Sequence, residues 1–520
     1  MKKFILLGAL FLLPTIGLRA QNDSIARIHF LGGDKISSDP ASKAFANEFD
    51  SPEARTLENQ TLGKLAAAPA TWFRSKIPAG AADGSAQLRP LLGDLLKSEW
   101  IFEIRDAPGS PEYALAIRVN SSRAVSWSKN LQTLLESWTK ISAQKTPNGW
   151  ELKKHDAPDL IQFSRSGDWV IVDCGQNKLS LTGEILKPSA KDGWLAADLN
   201  WPRLAQLYPA LAKFDFPKIE MQVIGHDGEL HFTGNLNLSS PLPALAKWNL
   251  PATVIHQPFN SFTAVRGITP WLEKQSWARR YEVSPMPNQF FIWALPAVPF
   301  QTFAAAPVPN GNSALAQLDS KIVAAQNPNP APGLFMPITA QLTNNEITWR
   351  GIPFASPFIR SLHEKSGDFL FGGFFPNIAR SQPLPKELFT ALNQPNLVYY
   401  HWEVTSNRAP QVLQISQLGL MLSEHKQLDG NSAAAKWLAH FTPMLGATVT
   451  TATEVSPMKI SFTRRAPGGL TAPEFYALAD WLEAPNFPGC NLKLPPRPDL
   501  KHRPLMHGHV PVPAAPDKQK

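Results

Sequence analysis

The residues of this chain whose types and spacing could do chemistry are two aspartates and a few histidines. Asp168 and Asp368 each end a Ser-Gly-Asp tripeptide, at Ser166–Asp168 and Ser366–Asp368. Two carboxyl groups facing one another across a groove would suit glycoside hydrolysis. Singly, each reads as a turn aspartate bonding back to its own backbone. His363-Glu364 and Glu424-His425 set an imidazole beside a carboxylate, but Lys365 and Lys426 follow them, so both read as solvated turns. His502, His507 and His509 form an open tract that closes no metal site. Gly32-Gly33-Asp34-Lys35 has the residue types of a phosphate loop without its spacing. No Gly-x-Ser-x-Gly elbow or His-Glu-x-x-His helix occurs. Cys174 and Cys490 could pair in an oxidising compartment; otherwise one is a buried thiol and the other lies in a Pro-Gly turn. Trp100, Trp127, Trp138 and Trp169 fall at core-facing positions, which favours packing over a sugar-stacking platform. No catalytic, cofactor-binding or metal-ligating residue is assigned on these grounds.

The elements that would position such residues come in two sets. Trp150 to Gly175 reappears as Trp349 to Gly373, each with a Trp eight residues before a Pro (Pro158, Pro357) and a Ser-Gly-Asp turn. A run of large apolar residues follows each turn, which predicts a hairpin whose returning strand is buried on both faces. Further matches keep their order: Arg89–Leu92 with Thr269–Leu272, Glu99–Phe102 with Gln289–Ile292, and Leu230–Thr233 with Ile460–Thr463. We read an internal duplication. Ser121-Ser122 is expected to cap an amphipathic helix with a face of Ala124, Trp127, Leu131, Leu134, Leu135 and Trp138. Asn312-Ser313 is expected to cap its counterpart, which carries Leu315, Leu318 and Ile322. Strands are expected at 194–199, 219–224 and 229–238, then at 397–404, 413–420 and 448–463.

The fold class expected is α+β, two related units of antiparallel sheet with helices packed on one face. The chain divides into a signal peptide (1–20), an N-terminal strand and helix segment (21–85) and a first α+β unit (86–245). A connector (246–258), a second unit (259–470), a C-terminal helix and turn (471–492) and a disordered Pro-rich basic tail (493–520) follow.

Composition supports an ordered globular body, with 43% hydrophobic and 18% charged residues among 520. Proline, at 49 residues, is about twice the ~5% norm and predicts short elements and stiff connections. The formal charge of +8 is concentrated at the ends: residues 1–20 hold +3 and residues 493–520 hold +4, leaving +1 for the body. So even a balance argues against nucleic acid as a partner. Lys2-Lys3, the apolar run Phe4 to Leu13 and the small residues up to Ala20 have the layout of a secretory signal. No later run is long enough to span a membrane as a helix.

Arg89-Pro90-Leu91-Leu92-Gly93-Asp94, Asn200-Trp201-Pro202-Arg203-Leu204 and Ser261-Phe262-Thr263-Ala264-Val265-Arg266-Gly267 carry a resemblance. Pro287-Asn288-Gln289-Phe290 and Ala306-Pro307-Val308-Pro309-Asn310 add to it. Over roughly residues 25–490 the chain resembles a family of large exported bacterial proteins of unknown function with duplicated α+β halves. The resemblance implies export and an α+β build, and brings no activity, ligand or site residue.

The function expected is that of an exported, non-catalytic binding or scaffolding protein of the bacterial cell envelope. Its partner would be an envelope component or another envelope protein, and no cofactor is implied. The basic tail would hold to an anionic surface. The alternative is an envelope carbohydrate-acting hydrolase using Asp168 and Asp368. Mass spectrometry of protein from its native cell should find a mature N-terminus at Gln21 or, by the competing cleavage site, at Leu18. An intact Met1 would overturn the export expectation.

Overall fold

The structure is a computed structural model. It describes residues 24–489 apart from 44–47, 49, 76, 107–110, 154–159, 176–183, 187–192, 256–257, 276–277, 280, 282, 297–300, 327–336, 353–354, 376–385 and 424–427. Residues 1–20, expected to be a signal peptide, together with Glu424-His425, Cys490 and the histidines at 502, 507 and 509, therefore lie outside the described residues.

The first half runs β1 (Ser24–Phe30), α1 (Gly33–Ser38), α2 (Pro52–Trp72), α3 (Ser85–Lys97), β2 (Trp100–Arg105), β3 (Glu112–Arg118) and α4 (Ser121–Thr139). It continues with β4 (Gln144–Thr146), β5 (Gly149–Lys153), β6 (Leu160–Ser166), β7 (Trp169–Gly175), β8 (Leu195–Asn200), α5 (Trp201–Leu207), β9 (Lys218–His226) and β10 (Glu229–Asn237). The second half runs β11 (Ser261–Arg266), α6 (Thr269–Leu272), β12 (Gln289–Ala294), β13 (Thr302–Val308), α7 (Gly311–Gln326), β14 (Thr339–Thr343) and β15 (Glu346–Arg350). Then come β16 (Phe358–Glu364), β17 (Gly367–Gly373), α8 (Lys386–Leu392), β18 (Leu397–Val404), α9 (Thr405–Ser423), α10 (Ala433–Phe441), β19 (Ala447–Ser456), β20 (Lys459–Ala466) and α11 (Ala472–Glu483).

The twenty strands of the described residues join one antiparallel sheet, and the class is α+β as expected. Pairing gives the first half the order β4-β5-β6-β7-β3-β2-β1-β8-β9-β10. The second half has the same order with each number raised by ten. The halves meet where β10 pairs β20, with Thr233 opposite Thr463.

The longer helices lie on one face of the sheet, while Leu388 and Leu392 of the short α8 pack on the other face with Phe262 and Phe291. In the first half, Leu88 and Leu91 of α3, Trp127 and Leu131 of α4 and Leu204 of α5 share a core with Ile28, Phe102 and Phe163. The α4 face is as expected, with Leu135 only half-buried. Its cap is Asn120 rather than Ser121-Ser122, because the Asn120 carboxamide accepts the Arg123 N–H at 3.0 Å. Likewise Asn310, not Asn312-Ser313, caps α7 by accepting the Ser313 N–H at 2.9 Å.

Three further expectations are corrected, and the connector takes a definite course. Residues 21–85 do not stand apart, since β1 lies between β2 and β8. Residues 413–420 are not a strand but part of α9, whose Ala409 and Val412 pack on Ala472 of α11; a short apolar run fits either period. Residues 448–463 are not one strand but most of the β19–β20 hairpin. The connector is a strap across the other face of the sheet. Its Val254 and Ile255 pack with Phe262, Phe291 and Trp293, and Arg266 donates to the Ala246 carbonyl while lying over the Trp248 ring.

Beneath that strap, Phe371 stacks on Trp293 and Phe303 with centroids 5.8 Å from each, and meets Phe358 edge-on at 5.3 Å. Phe371→Ala should lower unfolding free energy by about 3–5 kcal/mol, read from urea melts. A loss under ~1 kcal/mol would mean this cluster is not a packed core.

Candidate functional site

The pairing register allows like positions in the two halves to be compared. In the first half, one row of cross-strand partners reads Leu199, Ala26, Ile104, Tyr113, Cys174 and Ile161. In the second, the corresponding row is His401, Thr263, Ile292, Ala304, Gly372 and Ile359. Both rows face the helical side. The first is covered: Ile104 is 2% exposed, and the Tyr113 hydroxyl lies 2.6 Å from that of Tyr208, just beyond α5. The second is open at its centre, with Ile292 45% exposed and Ala304 exposed beside it.

The difference comes from what is inserted where. Between β1 and β2 the first half carries α1, α2 and α3, whereas between β11 and β12 the described residues of the second show only the four-residue α6 and a helical turn at Ala278–Arg279. The segment between β18 and β19 does form helices, but only the start of α9 reaches this region, where Arg408 donates to Thr302 and Gln411 to the Leu295 and Pro296 carbonyls. Leu438 of α10 joins Leu57 and Leu65 of α2 and Phe475, Ala479 and Leu482 of α11 in a separate core. Glu483 fastens that cluster, accepting from Lys64, Gln60 and the Ala434 N–H.

At one edge of the open row sits buried His401. Its Nδ1 lies 2.8 Å from Thr263 Oγ1; its Nε2 makes no hydrogen bond and stands 3.4 Å from Glu403 Oε2. Glu403 is held in place by the Ala472 N–H and the Thr405 hydroxyl.

Toward the other edge, beside the start of α7, three side chains form a hydrogen-bonded series. Ser361 Oγ lies 3.2 Å from His363 Nε2, and His363 Nδ1 lies 2.8 Å from Asp368 Oδ1. Asp368 Oδ2 also accepts the Gly311 N–H at 2.9 Å. Ser361 and His363 are two apart on β16, hence on one side, and Asp368 is the direct cross-strand partner of His363. The Gly311 N–H and then His363 hold the Asp368 carboxyl below the usual carboxylate range. Val308, the β13 partner of Asp368, also lines a cleft of about 320 Å³ with Asn249, Pro285, Met286, Asn288 and Pro309.

Of the residues singled out from sequence, His363 and Asp368 are brought together, which their five-residue separation did not suggest. Asp168 and Asp368 are not. Asp168 is an exposed tip residue 3.9 Å from Arg118, and β7 and β17 each lie fourth from opposite ends of the sheet. That separation removes the carboxylate pair. Nor are the tripeptides equivalent: the turn residues are Gly167-Asp168 in one hairpin and Lys365-Ser366 in the other, a displacement of two. Trp150 and Trp349 are also out of step, since the second residue after the preceding turn is Trp150 in one half and Ile347 in the other.

Glu364 accepts from Thr253 of the strap. Gly32 and Gly33 open α1, and Lys35 pairs with Glu99 at 2.6 Å. Cys174 is half-buried in β7. Trp100, Trp127 and Trp138 are buried, while Trp169 is half-buried. Ser361 was missed; its place two residues before a histidine in an alternating strand was the available clue.

No family model matches the chain, and no curated protein does. Among solved structures, crystal form I of TP0453 is 8% identical with a TM-score of 0.20, covering 45% of this chain and 98% of its own. The di-domain ARO/CYC StfQ from the steffimycin biosynthetic pathway is 11% identical with a TM-score of 0.08, covering 69% and 91%.

A carboxyl whose folded pKa is depressed stabilises above its unfolded value, and that stability is lost as pH falls through the folded value. The stability gap between the wild type and Asp368→Asn should therefore be full at neutral pH and close below about pH 4, the unfolded aspartate range. A gap constant down to pH 2, followed by thermal melts, would contradict the Gly311 and His363 contacts.

Proposed function

We propose that the protein is an exported binding or scaffolding component of the bacterial cell envelope, holding its partner on the open sheet face of the second half. The observation that carries this reading is the contrast between Ile292 and Ile104, like positions of which only one is covered. An exposed isoleucine on a floor of Thr263, Ala304 and Gly372 leaves room for an extended segment with small apolar side chains. Covering the exposed part of this side chain is worth about 1 kcal/mol. The layout of residues 1–20 supports export. The shared strand order of the halves is what internal duplication leaves, with one copy's cover lost to the α2–α10–α11 cluster.

A photo-crosslinking residue in place of Ile292 or Ala304 should give a discrete adduct with one envelope protein in the native cell. At Val125, exposed on α4 of the first half, it should give none. No adduct at either site, or the same products from all three positions, would remove the basis for this reading.

A further inference from the structure

We propose that Ser361 is an acyl-accepting nucleophile, with His363 as its base and Asp368 positioning the ring, in a site for a small carboxylic ester. This activity goes beyond partner binding on the open face.

The geometry has the parts that acyl transfer needs. The serine hydroxyl lies on one ring nitrogen and the carboxylate on the other, the arrangement in which imidazole can take the serine proton. Asp368 is itself fixed by the Gly311 N–H. Among the first amides of α7, Gly311 N–H is taken by Asp368, Ser313 N–H by the Asn310 side chain and Ala314 N–H by the Asn310 carbonyl. Asn312 N–H has no acceptor among the described residues. Its side-chain oxygen lies 3.3 Å from His363 Nε2, so this spare donor belongs to the residue that borders the ring. A free amide at a helix start is suited to a developing oxyanion. Gly311 lets the helix start close over the serine: a Cβ there would fall 2.2 Å from Ser361 Oγ.

The first half shows what the same place does without this chemistry. Counted from the hairpin turn, Phe163, Arg165 and Val170 stand where Ser361, His363 and Asp368 do. There Arg165 simply donates to Ser121 Oγ at 2.8 Å, fastening the hairpin to α4. A clamp needs no more than that.

In the proposed step Ser361 Oγ attacks the ester carbonyl carbon while His363 Nε2 takes the hydroxyl proton. The bond from carbonyl carbon to alkoxy oxygen breaks, and the alcohol leaves with that proton. Water, giving a proton to the same nitrogen, then cleaves the acyl–Ser361 bond and releases a carboxylic acid, restoring the serine.

The test treats the full chain with a fluorophosphonate probe and, separately, with p-nitrophenyl butyrate. The expected result is a phosphonyl adduct mapped by peptide mass spectrometry to Ser361. Ester hydrolysis should be lost in Ser361→Ala, and His363→Gln should label at least ~100-fold more slowly. Circular dichroism melts establish that both variants are folded. If either is not, the wild-type adduct position decides. No adduct at Ser361 in the wild type, or hydrolysis unchanged in folded Ser361→Ala, overturns the proposal.

Discussion

Everything in this molecule depends on the pairing of β10 with β20. Each half alone would end in a long strand with unpaired N–H and C=O groups, a template for unwanted association. The two edges satisfy one another over Leu230–Asn237 and Lys459–Ala466. Because the pair is antiparallel and its strands hold like places in the two halves, the helical faces of both fall on one side of the sheet. Helices α2, α10 and α11 can then meet across the junction. The outer ends are managed differently: β4 is three residues long and carries exposed Gln144 and Lys145.

The meeting of those helices explains the asymmetry. A helical face needs a cover, and each half builds it from insertions at different points of a common strand order. The second half gives α10 and part of α9 to the junction, and the described residues leave Ile292 and Ala304 without a lid. What is spent on joining the halves is missing from the face of one of them.

Much of the fold was legible in the sequence because alternation and helical spacing report burial directly. Trp127, Leu131, Leu134 and Trp138 mark one side of α4, and the paired apolar strands mark both hairpins. Register was harder to read. Ser-Gly-Asp recurs in both halves, yet a turn shifted by two residues puts Asp168 at a tip and Asp368 within a strand. The helix α9 was mistaken for a strand because Leu413 to Leu420 suits either period, and only its packing on α11 decides. The association of Ser361 with His363 and Asp368 depends on which residues β16 and β17 place opposite one another. Short sequence motifs do not encode that.

The last described strand is laid into the middle of the sheet. As the chain is synthesised, β10 has its partner β9 on one side from early on, while its other side waits until nearly the whole body has been made. Throughout that interval the first half presents a nine-residue open edge, with Leu230, Phe232 and Leu236 along it. Non-local pairing of this kind is slow and vulnerable to aggregation. Biogenesis of this protein therefore hinges on shielding a single strand until its own C-terminal region arrives to claim it.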